Sequence, residues 1–191
     1  MNSNAGMHHR RSLRLRNYDY AGLGAYFVTV CTYSRERILG EIEGGAMRLS
    51  PCGRIVEDCW NALSRHFERV ELDVFVVMPN HIHGIVIIVG PPGGGGEAFA
   101  GRDRSFSPGQ RANASPLQVP RGTDPGSLGA VVQNFKSVST RKINGFRHSR
   151  GAPVWQRNYY EHVIRSDDDL NEIREYILNN PLRWDLDEEN Q

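Results

Sequence analysis

"ELDVFVVM" (residues 71–78) and "HIHGIVIIV" (residues 81–89) are two strand-length apolar runs with only Pro79 and Asn80 between them. Each is rich in β-branched residues, and a two-residue link can join neighbouring strands only in the antiparallel sense; a parallel partner needs a crossover of a dozen residues or more. The chain is therefore expected to build its sheet around this hairpin. The remaining elements must cover both faces of it.

"AYFVTVCTY", from Ala25, reads as a first strand. "LSPCGRIVEDCWNALSRHF" reads as an amphipathic helix capped by Ser50, with Pro51 at its first position and an apolar stripe through Val56, Cys59, Trp60 and Leu63. After the hairpin, "SLGAVVQNFKSVSTRKINGF" predicts a second helix, capped by Ser127 and apolar along Leu128, Val131, Val132 and Phe135. "PVWQRNYYEHVIR" has strand character, broken near Asn158. "SDDDLNEIREYILNNPLRW" closes the chain as a helix that starts at Ser166 with an acidic first turn and is stopped by Pro181 near Asn180. Strand, helix, strand, strand, helix, strand is the split ferredoxin-like order, an α+β architecture with an antiparallel sheet and helices packed on it.

Side chains alternate across a strand, so His81 and His83 share one face while Ile82, Gly84 and Val86 share the other. A lone buried histidine is ordinarily a neutral, hydrogen-bonded core residue. Two imidazoles at a spacing of two can converge on one cation, and they favour a metal site that needs a further ligand from the element covering that face. In the final helix Tyr176 and Asn180 stand four apart, one turn from each other on one side. An Asn carbonyl is a hard oxygen donor suited to Mg2+ or Mn2+. On spacing alone, Tyr176 reads first as a half-buried aromatic packed on the sheet.

The blocks "YFVTVCT", "VVMPNHIHGIV", "NFKSVSTRKIN", "VWQRNYYEHVIR" and "REYILNNPLRW" together resemble the HUH endonuclease superfamily. Within it they are similar to the single-tyrosine, REP-associated transposases, in order from about Arg10 to Trp184. The resemblance implies an HUH endonuclease fold, and a transposase-like enzyme that cleaves and rejoins single-stranded DNA at hairpin-forming repeats through a 5′-phosphotyrosine. Carried over by position, His81 and His83 match the metal-binding histidines, Tyr176 the nucleophile and Asn180 the polar residue completing a Mg2+ or Mn2+ site. Lys136, in the "NFKS" block, becomes a DNA contact. Asn180 stands where some relatives have Gln, and the insert after the hairpin is long. Partners implied are single-stranded or hairpin DNA; monomer and homodimer both stay open, as does the site being built from one chain or two.

Length, 191 residues, suits one domain, with a basic arm over residues 1–17 (Arg10, Arg11, Arg14, Arg16) and a Gly/Pro-rich insert over 90–126 that lacks periodicity. The longest apolar runs fall far short of the roughly 20 residues of a membrane-spanning helix, so no membrane partner is expected and the reading is cytoplasmic. Cys31, Cys52 and Cys59 have neither zinc-finger nor disulfide spacing. Two competing functions remain. A non-catalytic nucleic-acid-binding module, such as a domesticated repeat-binding protein, would use the same RRM-like sheet, though no aromatic RNA-recognition signature is present. A small zinc hydrolase would need another ligand, for which His162 is the residue to watch, since His66 and His148 have no useful spacing. Tyr159 and Tyr160 are the rival phenols.

Overall fold

The hairpin forms as two eight-residue strands with Val77 opposite Ile82 and the Met78 N–H donating to the His81 carbonyl at 2.8 Å. The computed structural model describes residues 22–90 and 125–190; the basic arm and residues 91–124 of the insert lie outside the described residues. In chain order the elements are β1 (Gly24–Cys31), β2 (Gly40–Glu43), β3 (Ala46–Leu49), α1 (Pro51–Asn61), α2 (Leu63–His66), β4 (Val70–Val77) and β5 (His81–Ile88). Then follow α3 (Leu128–Phe146), β6 (Tyr160–Ile164) and α4 (Asp167–Asn179), with 3-10 turns over Pro181–Leu186 and Glu188–Asn190. The main sheet runs β4-β5-β1-β6 with every neighbour antiparallel, which is the split ferredoxin-like order expected from the sequence.

Each long helix begins where a serine can satisfy an orphan N–H. Ser50 Oγ accepts from Gly53 N at 3.1 Å, Ser127 Oγ from Ala130 N at 3.3 Å, and Ser166 Oγ from Asp169 N at 3.1 Å. Such a cap contributes about 1 kcal/mol. Helices α1 and α3 lie on one face of the sheet, where Val56, Cys59, Trp60, Val131, Val132 and Phe135 meet Tyr26, Val28, Val30, Ile82 and Val86. Gly84 makes room there: a Cβ on it would stand 2.4 Å from the Trp60 ring and 3.1 Å from Phe75. Trp60 in turn stacks on Phe75 with centroids 4.6 Å apart.

Helix α4 covers the opposite face. Leu170, Ile173 and Ile177, at helical spacing, pack on Ala25, Phe27, Ile85 and Ile164. Its register is tied to the sheet by Arg174, whose guanidinium reaches Asp73 through Nε at 3.0 Å and Nη2 at 2.5 Å. Asp73 sits where β4 breaks its pairing with β5 between Leu72 and Phe75, so the irregularity in the strand presents the carboxylate that α4 needs.

The strand expected across "PVWQRNYYEHVIR" resolves into a single bridge, Thr32 with Trp155, and then β6. The β2–β3 hairpin was not anticipated. Its signal was present in "EIEGGAMRL": Gly44 and Gly45 both take positive φ, 58° and 78°, the two-residue turn that matches strand twist. Among the described residues no helix is long and apolar enough to cross a membrane.

Candidate active site

Strand alternation directs Thr29 of β1 and His81 and His83 of β5 toward α4. Both imidazoles are fully buried, and their Nε2 atoms face each other at 3.0 Å. The Nδ1 partners decide which lone pairs are on offer. Asn80 donates its amide nitrogen to the Glu189 carbonyl at 2.6 Å, so its Oδ1 is the end that faces His81 Nδ1 at 2.8 Å. That oxygen can only accept; His81 Nδ1 therefore carries the proton and His81 Nε2 presents a lone pair. His83 Nδ1 meets the Thr29 hydroxyl at 2.9 Å. When Thr29 accepts that bond, both Nε2 atoms present lone pairs to one another. A single proton or a single cation between them removes the repulsion.

Burial also keeps the rings neutral. Desolvation pushes His81 down to about 4, against the opposing pull of the Asp187 and Glu189 carboxylates, and pushes His83 well below the ordinary imidazole value, with His81 adding to the effect. Neutral imidazole is the form that ligates metal.

The oxygen donors come from the chain after α4. Asn180, the C-cap residue, is buried one turn beyond Tyr176, as its spacing predicted. Its Nδ2 donates to Asp187 Oδ2 at 2.9 Å, and its Oδ1 is buried without a hydrogen-bond partner. Asp187 Oδ2 is 3.8 Å from His81 Nε2, and His81, His83 and Asp187 each offer one ligand atom within 4.8 Å of the others. Two imidazole nitrogens and a buried carboxylate form a donor set that fits a divalent ion, with the Asn180 amide beside it on Asp187.

Asp187 is the residue that sequence reasoning missed. It was visible only as one of a run of terminal acids, and it reaches the site because Pro181–Leu186 winds as a 3-10 segment that returns the chain over β5. Trp184 within that segment lies 6.1 Å from the His81 ring, and Arg35 holds Glu189 at 2.9 Å.

Tyr176 is 42% exposed, and its hydroxyl is 3.4 Å from His83 Nε2. Its ring meets His83 at 5.2 Å and stands edge-on to Phe27 at 6.0 Å. Tyr160 also stands edge-on to Phe27, at 6.2 Å, whereas Tyr159 packs against the α1/α3 core. Among the described residues the phenol that meets the imidazole pair is that of Tyr176. His162 is not part of the cluster; it pairs at the surface with Asp169, Nε2 to Oδ2 3.0 Å. Lys136 is turned inward, its Nζ donating to the carbonyls of Gln156, Arg157 and Asn158 at 2.5, 2.9 and 3.4 Å. Burial pushes this ammonium down to about 8. None of the three cysteines is in a disulfide, and only Cys31 comes near this region, donating its thiol to Glu189 Oε2 at 3.3 Å.

No family model matches the chain. A Haemophilus influenzae protein, described as an uncharacterized protein, is 39% identical over 185 residues, covering 97% of this chain and 95% of that protein. Among solved structures, a REP-associated tyrosine transposase bound to a REP hairpin is similar with a TM-score of 0.52 at 18% identity, over 84% of this chain and 68% of that one. At this identity the likeness shows the fold. A Deinococcus radiodurans R1 protein, described provisionally as a transposase, aligns over 87% of this chain and 95% of its own with a TM-score of 0.44 and 18% identity, and carries no weight here.

Proposed function

We propose, from the premise that this chain belongs to one family with the Haemophilus influenzae protein and is built on the fold of a REP-associated tyrosine transposase, that it cleaves and rejoins single-stranded DNA beside hairpin-forming repeats. The observation that carries this reading is the hydroxyl of Tyr176, a residue half-open to solvent, 3.4 Å from one of two buried, facing imidazoles. A phenol next to a closed apolar core has a packing role. A phenol next to converging neutral nitrogens and a buried carboxylate has neighbours suited to phosphate chemistry.

His81, His83, Asp187 and Asn180 would hold Mg2+ or Mn2+. When bound, such an ion supplies Lewis-acid polarisation of a phosphate oxygen and offsets the charge that builds on it. Tyr176 Oη forms a bond to the scissile phosphorus as its proton passes to solvent water, and the bond from phosphorus to the 3′-oxygen breaks, that oxygen taking up a proton from solvent. The product is a 5′-phosphotyrosine and a free 3′-hydroxyl. Because the phosphodiester energy stays in the covalent adduct, another 3′-hydroxyl can displace Tyr176 and join strands without a nucleotide cofactor. Thr29 and Asn80 orient the imidazoles, and the Arg174–Asp73 pair holds α4 so that Tyr176 stays over His83.

The test is incubation with labelled hairpin DNA from sequence flanking the gene, with and without Mg2+ or Mn2+, followed by denaturing electrophoresis. A metal-dependent adduct that disappears in Tyr176→Phe supports the reading. Binding without any adduct would instead support a non-catalytic repeat-binding module. A thermal shift of the unliganded protein on adding Mn2+, absent in Asp187→Ala, reads the metal site independently of cleavage.

A further inference from the structure

A cleft of about 640 Å³ opens between α3 and the segment that precedes β6. Gln133, Lys136 and Arg141 line one wall, and Trp155, Arg157 and Tyr159 the other. Three of these side chains are cationic, and no described residue lining the cleft is a carboxylate. A basic groove that includes an aromatic face is the form that tracks unpaired nucleic acid, with phosphates on the cations and bases against the rings.

The walls are preassembled. Lys136 gathers three successive carbonyls of the opposing segment, Trp155 Nε1 donates to Ser139 Oγ at 2.8 Å, and Asn144 Nδ2 donates to the Ala152 carbonyl at 2.8 Å. Three ties between α3 and one strap fix the width of the cleft before any ligand arrives. They also divide the cations by role. The Lys136 ammonium is committed to holding the strap, which makes it a positioning residue, whereas Arg141 and Arg157 are exposed at the mouth.

The cleft also leads to the site. Strand β6 is an edge of the sheet. Tyr159, immediately before it, packs toward the α1/α3 core and lines the cleft; the next residue, Tyr160, pairs with Thr29 and lies against Phe27, the ring that also touches Tyr176 and His83. Successive residues of an extended edge therefore face the cleft and the nucleophile. A strand lying in the cleft has only to turn round that edge to meet Tyr176.

We infer that this cleft holds the unpaired DNA flanking the hairpin, with Arg141 and Arg157 on its phosphates and Tyr159 against a base. The inference deepens the proposed function and rests on Tyr176 acting on single-stranded DNA. It is tested by fluorescence anisotropy of the full-length protein with two probes: a blunt hairpin, and the same hairpin carrying an unpaired flank of about ten nucleotides, within the span such grooves cover. For the paired change Arg141→Ala with Arg157→Ala, affinity for the flanked probe should fall about tenfold or more while that for the blunt probe stays unchanged. The slope of log affinity against log salt for the flanked probe should fall by about 1.4, the value expected for two phosphate contacts to a single strand. Arg141→Lys with Arg157→Lys should restore the slope. Equal losses on both probes, or no loss on either, would overturn the inference. Adduct formation by the unmodified protein on the flanked probe separates the two ideas. Adduct with unchanged affinity in the alanine pair removes the cleft alone; no adduct removes the reading of Tyr176, and anisotropy still decides the cleft.

Discussion

The two faces of one sheet have been put to opposite uses. On β5, Ile82 and Val86 point into the packing of α1 and α3, and the alternate residues His81 and His83 point toward α4. On β1, Val28 and Val30 are core, and Thr29 between them is the hydrogen-bond partner of His83. The first face is apolar and tightly filled, to the point that one position must be glycine to admit Trp60. The second is buried as deeply around the histidines but gathers polar side chains against one another, His81 on His83, His83 on Thr29 and Asn180 on Asp187. Burying a polar atom without a partner costs stability, and each face carries one, Trp60 Nε1 on the first and Asn180 Oδ1 on the second. The lesson is that alternation lets a single strand serve folding and chemistry at once, with neighbouring residues assigned to each.

The sharpest way to test the division is to damage each face in turn. Trp60→Ala should cost about 3–5 kcal/mol by urea or thermal unfolding, because it empties the centre of the α1/α3 face. Below its melting temperature the variant should still form the adduct with DNA. Tyr176→Phe should do the reverse, losing the adduct entirely while changing stability by no more than about 0.5 kcal/mol. If Trp60→Ala unfolded at the same denaturant concentration as the parent, the assignment of stability to that face would be wrong.

How much of this could be read from the chain depends on the range of the interactions involved. The hairpin, the three serine caps and the common face of His81 and His83 follow from local periodicity, and they stand where the sequence puts them. Tyr176 and Asn180 were legible as a pair one turn apart, because helical spacing is also local. Asp187 was not, since nothing in "RWDLDEEN" distinguishes an acid that returns over β5 from acids that face water. Its position depends on the chain beyond it, where Glu189 is pinned by Asn80 and by Arg35, contacts more than a hundred residues apart in the chain. Lys136 carried the opposite ambiguity. A basic residue on a helix face looks available for phosphate, and only the tertiary placement of residues 156–158 shows its donors engaged by carbonyls.

The difference between the faces should also be visible as pH dependence. In the fold His81 is held at about 4 and His83 well below its ordinary value, whereas an unfolded chain returns both to about 6.5. Below pH 6.5 the unfolded state therefore binds more protons than the native state, so stability is complete above that pH and is lost as pH falls toward 4. His81 alone should remove about 2 kcal/mol by pH 5 by this linkage, and His83 adds to it. Urea titrations at pH 7, 6 and 5 give the slope, and His81→Asn with His83→Asn should flatten it. A slope unchanged in that double variant would mean that other groups, not the buried imidazoles, set the acid sensitivity.

The smallest change separates the two uses at a single atom. Thr29→Val keeps the shape of a side chain flanked by valines and removes only the hydroxyl that meets His83 Nδ1. If that hydroxyl serves to orient a metal ligand, Mn2+ affinity should drop about tenfold or more, the usual cost of losing an outer partner of a ligating histidine. The fold should lose only about 1 kcal/mol, that of one hydrogen bond. The two readouts must be taken on the same preparation, Mn2+ binding by titration and stability by urea in the absence of metal. A variant that bound Mn2+ as tightly as the parent yet unfolded more easily would make Thr29 a core hydrogen bond, and the α4 face would then be a second, poorer core. The reverse outcome, weakened metal with intact stability, would assign a polar residue in the middle of β1 to chemistry, next to two valines assigned to packing.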